Sequence, residues 1–123
     1  MPSKVAGRTV VEFQAGVDVW STVDEWAQEF EYVLTAQDGA SRLYQKGQNF
    51  LVIPQMVQVT WTGAGHRLEA WVRNPTINRI LTLGLAPSEM VINSGKFVGV
   101  VARNKARKDV NILLERLGVP PIE

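Results

Sequence analysis

Between Met56 and Arg73, polar and apolar residues alternate on both sides of a Gly-Ala-Gly loop. Period-two alternation of this kind is the signature of two half-buried strands joined as an antiparallel hairpin. Val57, Val59, Trp61, Leu68, Ala70 and Val72 fall on one face, and Gln58, Thr60, Thr62, Arg67, Glu69, Trp71 and Arg73 on the other. Such a sheet has a dry side, which other elements must cover, and a wet side. The same alternation predicts strands over residues 9–14 and 41–46, the latter ending at Gly47, and a further one from Asn49 through Ile53. Pro54 has no amide proton for a ladder, so it separates that strand from the next or places it at an edge.

Helical spacing appears twice. Thr22-Val23-Asp24-Glu25 has the form of a capping box, in which a threonine hydroxyl and a glutamate carboxylate satisfy each other's backbone amides. It predicts a helix that starts there and carries Val23, Trp26, Ala27, Phe30, Val33 and Leu34 on one buried stripe before the Gln37-Asp38-Gly39 turn. Trp26, Phe30 and Trp61 are then expected in the core, and Trp20 over the helix end. The second helix carries Ala106, Val110, Leu113, Leu114 and Leu117, with Gly118 at its C-terminal cap and Pro120-Pro121 preventing continuation. Residues 76–95 fit a short helix through Ile77, Ile80, Leu81 and Leu85 as well as a strand through Leu81, Leu83 and Leu85, and periodicity does not arbitrate over so short a run. Residues 90–92 and 97–101 are candidates for a terminal hairpin. The pattern implies one α+β domain over residues 1–123, in the order β-α-β-β-β-β-(β-β)-α. Its antiparallel sheet of about four to six strands has two amphipathic helices on one face.

Composition narrows the chemistry. The 123 residues are 46% hydrophobic and 20% charged, enough for one core without disulfides. Cysteine is absent, which excludes thiolate nucleophiles, iron–sulfur clusters and cysteine-type zinc sites. The first eight residues have no secretory pattern, and the richest apolar run falls short of the ~20 residues of a membrane span, so a cytoplasmic protein is expected. Net charge is +1, but residues 1–40 carry two basic and seven acidic side chains, against eleven and five in the remainder. The only histidine, His66, ends the hairpin loop with no nucleophile motif beside it, and reads as an exposed turn residue. Acids at 24, 25, 29 and 31 read as a solvated helix face that suits the helix dipole. No metal spacing or cofactor fingerprint is present, so neither is expected.

Two features remain. Arg103, Lys105, Arg107 and Lys108 cluster at the expected start of the last helix, where free backbone amides also attract anions; Asp109 neutralises them only in part. They read first as a solvated basic face, and otherwise as a site for an anionic ligand such as phosphate, an anionic lipid headgroup or a nucleic-acid backbone, or for an acidic protein partner. Trp71 lies among Arg67, Glu69 and Arg73 on the wet face, where it needs a partner, a ligand or a lid from residues 76–95. One tryptophan is a thin stacking platform for single strands, which makes nucleic acid the less favoured partner. The leading expectation is a non-enzymatic binding or protein-interaction module, with self-association through the opposed acidic and basic helices as one form. The alternative is a carrier of a small apolar ligand lined by Trp26, Phe30, Trp61 and Leu114. An enzyme ranks third, built on scattered groups such as Tyr44, Glu69 and Arg73.

Overall fold

The computed structural model describes the backbone of residues 3–5, 8–47, 54–73, 89–91 and 100–123, with side chains over 8–47, 54–72 and 104–123. The hairpin forms where alternation places it. β5 (Gln55–Trp61) pairs with β6 (His66–Arg73) from Gln55↔Val72 to Trp61↔His66. In the connecting loop Gly63 has φ +90°, and a Cβ on Gly65 would lie 2.7 Å from the Phe13 carbonyl oxygen. Glycine at 65 therefore lets the loop sit against the neighbouring strand.

That neighbour is β2 (Arg8–Phe13), whose outer edge carries the short β1 (Ser3–Val5). On the other side of β5 lie β4 (Ser41–Lys46) and then β3 (Val33–Gln37). β7 (Glu89–Val91) pairs with the end of β6 at Trp71, Val72 and Arg73. The order β1-β2-β6-β5-β4-β3 is antiparallel throughout, so the five longer strands make the expected sheet and two three-residue strands extend it. Two helices, α1 (Val19–Glu29) and α2 (Val100–Arg116), cover one face. The fold is α+β.

The core is the set of side chains that alternation turns toward the helices. Val11, Val57, Val59, Leu68, Ala70 and Val72 meet Val23, Trp26 and Ala27 of α1 and Ala106, Val110, Leu113, Leu114 and Leu117 of α2. All are buried. Trp61, expected among them, is instead 47% exposed at the end of the sheet, where it is the last residue of β5. On the opposite face Val10, Met56 and Trp71 are buried as well.

α1 departs from its expected bounds at both ends. It begins at Val19, because the buried stripe runs back through Val19, Val23, Trp26 and Ala27. Thr22 is consequently an interior residue whose hydroxyl donates to the Asp18 carbonyl at 2.8 Å, and no capping box forms. At the other end the Glu31 amide donates to the Gln28 carbonyl and the Tyr32 amide to the Ala27 carbonyl, at 3.4 and 2.7 Å. This is the hydrogen-bond pair of a Schellman cap, with Glu31 at φ +64° in the position usually held by glycine. Val33 and Leu34 leave the helix there and enter β3. Asp38 closes the β3–β4 turn by accepting from the Ala40 and Ser41 amides at 2.8 and 2.7 Å, which holds its carboxyl below the usual range. α2 ends in the same cap, from the Gly118 amide to Glu115 and from Val119 to Leu114, with a real glycine at φ +73°. Since a left-handed non-glycine residue costs roughly 1 kcal/mol, Glu31→Gly is expected to raise the unfolding free energy by up to about 1 kcal/mol in urea melts, while Gly118→Ala lowers it by a similar amount.

α2 starts at Val100 rather than beside the basic cluster. The predicted strand at 49–53, the strand or helix between 76 and 88 and most of the terminal hairpin lie outside the described residues; of that hairpin, Val100 and Val101 are helical.

Candidate binding groove

α2 places its apolar stripe inward and a second, mixed face along the molecular surface. The chain after Gly118 turns back along the helix and is tied there by Asn111, whose side chain donates to the Ile122 carbonyl at 3.0 Å and accepts from the Ile122 amide at 2.7 Å. Ile122 is buried by this return. Helix and tail together frame a groove of about 970 Å³, with Ile112, Val119, Pro120 and Pro121 as its apolar part, Arg107 and Lys108 toward one end and the acidic Glu115 between them and the tail. Arg107 also donates to Asn104 Oδ1 at 2.9 Å, which holds its guanidinium on the helix surface. From Arg107 to Gly118 is about 16 Å at the helical rise per residue, room for roughly five residues of extended chain.

The groove does not end there. Gly118, Val119 and Pro120 also line a second depression with Glu12, Phe13 and Gln14, and those three line a third with Thr62, Ala64, Gly65 and His66. The concave surface thus continues from α2 past the end of β2 to the hairpin loop. At its far end His66 stacks on Phe13 at 5.8 Å, meets the edge of Trp20 at 5.6 Å and lies 5.0 Å from Trp61. Burial among these rings pulls the imidazole pKa down and favours its neutral form. His66 is therefore half-buried in an aromatic cluster rather than a free turn residue.

The expected site residues are dispersed by the fold. Lys105 and Lys108 are exposed, and Arg107 and Lys108 line the groove. Arg103 lies in the first turn of α2, its side chain outside the described set. With the helix beginning at Val100, positions 105, 107 and 108 are past the free amides of the first turn, so of the four expected cations only Arg103 coincides with them in position. On the outer sheet face Trp71 is only 3% exposed, with the Arg8 guanidinium 3.7 Å from its ring centroid. Arg8 also pairs with Glu69 at 2.8 Å, and Glu69 accepts from Arg67 at 3.0 Å. Arg8 is thus a cover within the chain for Trp71; Arg73 is described only as the β6 partner of Glu89. Trp26 and Leu114 are fully buried and Phe30 packs against the core, whereas Trp61 stands apart from them at the sheet's end. Within the chain the two helices touch through Arg116 and Glu29 at 2.7 Å.

Two polar clusters were not anticipated. Asp109 does not neutralise the basic cluster; its carboxylate is buried, 3.2 Å from the Tyr32 hydroxyl and 3.4 Å from the Lys46 ammonium, while its carbonyl accepts from the Trp26 indole at 2.8 Å. The Tyr32 hydroxyl also reaches Gln55 Oε1 at 2.9 Å, and its one proton serves either acceptor. The sequence held a signal for this, because Asp109 is three residues after Ala106 and four before Leu113 on the apolar stripe. In the second cluster the Tyr44 hydroxyl donates to Asp24, which also accepts from Arg42 at 2.6 Å, and Arg42 lies over the Trp20 ring.

Burial raises both tyrosine pKa values, Tyr44 to about 12 and Tyr32, beside the Asp109 carboxylate, further still. These are the only tyrosines. Their pKa lies near 10 in the unfolded chain, so above that pH the unfolded state loses protons that the folded state keeps, and stability falls as pH rises. Ultraviolet titration is expected to show no tyrosinate at pH values slightly above 10 while circular dichroism reports folded protein, and then to show both phenolates together with unfolding. In denaturant they should titrate near 10.

Among the described residues no group of three or more histidine, aspartate or glutamate side chains is arranged to hold a metal ion, and no helix is long and apolar enough to cross a membrane. Compared with protein-family models and with characterised proteins, the chain matches none.

Proposed function

We propose that the protein is a non-enzymatic interaction module that holds an extended segment of a partner protein in the groove between α2 and the C-terminal tail. The observation that carries this reading is the groove itself, apolar along Ile112, Val119, Pro120 and Pro121 and cationic at Arg107 and Lys108, whose two positive charges outnumber the single negative charge of Glu115. A segment with acidic residues ahead of a few apolar ones matches it in charge and polarity. Rim charges contribute chiefly to encounter and register, and the apolar contacts oppose dissociation. Asn111 supports the same reading indirectly, because tying down Ile122 fixes the tail as one wall before any partner arrives, which lowers the ordering cost of binding.

The test is fluorescence anisotropy with a short labelled peptide of glutamates followed by leucine and proline, and a counterpart with lysines for glutamates. The acidic peptide is expected to bind and the basic one not. Arg107→Glu with Lys108→Glu should weaken the acidic peptide by at least about tenfold at low salt, or 1.4 kcal/mol, with a smaller loss at high salt. Equal binding of both peptides, or an unchanged affinity in the double variant, would exclude the groove as an acidic-segment site.

A further inference from the structure

The free edge of the sheet supports a second and separate interaction. Among the described residues β3 is the outermost strand on its side, and all five of its residues, Val33-Leu34-Thr35-Ala36-Gln37, are exposed. Edge strands are usually protected by charge, proline, brevity or a bulge. The opposite edge, β1, follows that rule with three residues and a lysine at its centre, whereas β3 has neither charge nor proline. It also carries two of the four large apolar side chains most exposed in the described residues, Val33 at 50% and Leu34 at 42%. Its one irregularity is a register shift between Leu34 and Ala36.

We infer that β3 is the site of self-association, pairing antiparallel with β3 of a second copy about a two-fold axis at Thr35 to make one sheet across two chains. The strand is its own complement in that arrangement. Val33 faces Gln37 of the other copy, Leu34 faces Ala36, and Thr35 faces Thr35. The flanking acids do not meet, since Asp38 falls opposite Tyr32 and Glu31 opposite Gly39, so no like charges stand directly across the pair. A partner with basic or acidic strand residues would find no matching charge on this edge, which is why a second copy fits better than a charged strand. The contact uses none of the residues that line the α2 groove.

The absence of cysteine gives a direct test. Opposed residues of antiparallel strands lie about 4.5–5.5 Å apart at Cα, within the range that a disulfide spans. Thr35→Cys is expected to form a covalent dimer under mild oxidation, at concentrations where Ser21→Cys, also exposed, does not. Sedimentation velocity on the unmodified chain should show a dimer growing with concentration, and Leu34→Lys, which projects from the edge without entering the core, should raise the dimer dissociation constant by at least about tenfold. A monomer at every concentration would overturn the inference, as would a dimer that tolerates Leu34→Lys or does not cross-link through position 35. Retention of the circular dichroism spectrum separates a lost dimer from a lost fold.

Discussion

Trp26→Ala is expected to lower the unfolding free energy by about 4 kcal/mol, within the range found for truncating buried large aromatic residues, and to leave little folded protein if total stability is ordinary. Trp26 is fully buried where α1 crosses α2. Its ring stacks on Tyr32 at a centroid distance of 4.5 Å and contacts Phe30, and its indole donates to the Asp109 carbonyl at 2.8 Å. One side chain therefore connects the first helix, the residue before β3 and the second helix. Trp26→Phe retains most of the ring volume. It also leaves the Asp109 carbonyl with its own helical acceptor role, so its cost should be only about 1–2 kcal/mol. Urea denaturation with the slope held common between variants measures both. A loss below 1 kcal/mol for the alanine variant would mean that this junction does not hold the helices together.

The second large effect is expected at Asp109. Alanine there removes the acceptor of the Lys46 ammonium and one of two acceptors of the Tyr32 hydroxyl, in a site where the Lys46 side chain is 17% exposed and that of Asp109 8%. Breaking a buried pair from one side leaves the other charge desolvated and uncompensated, which costs several kcal/mol. The partial exposure of Lys46 and the long 3.4 Å separation reduce this to about 2–3 kcal/mol. Lys46→Met alone should cost less, and adding it to Asp109→Ala should recover part of the loss because the stranded ammonium is gone. A double-mutant cycle with a coupling above about 1 kcal/mol is the expected outcome. Additive losses would show that the two groups act independently.

What was legible in the chain follows physical periodicity. The β5–β6 hairpin and β4 could be read because one face is dry and the other polar, so alternation fixes register. α2 could be read because its stripe, its glycine cap and the prolines after it agree. The path of Val33 and Leu34 was misread because their spacing continues the α1 stripe. A left-handed Glu31 ends the helix, and nothing in the sequence marks a glutamate as adopting that conformation. The capping box failed for a related reason, since burial of Val19 extends the helix a turn upstream of the motif. At the site, Arg107 and Lys108 could be found from composition, but the wall they face is made by the tail returning onto Asn111, a tertiary event. For Trp71 the pattern offered a partner, a ligand or a lid from residues 76–95, most of which lie outside the described residues; the side chain found over its ring is Arg8, more than sixty residues earlier in the chain.

Nuclear magnetic resonance titration of the isotopically labelled protein with the glutamate-leucine-proline peptide tests, residue by residue, whether the α2 groove holds an acidic, partly apolar segment. Saturable amide shifts are expected at Arg107, Lys108, Asn111, Ile112 and Val119, with β3 unmoved and the Trp61 side chain shifting only for peptides long enough to reach the hairpin loop. Shifts confined to another surface, or none at saturating peptide, would contradict binding in the groove.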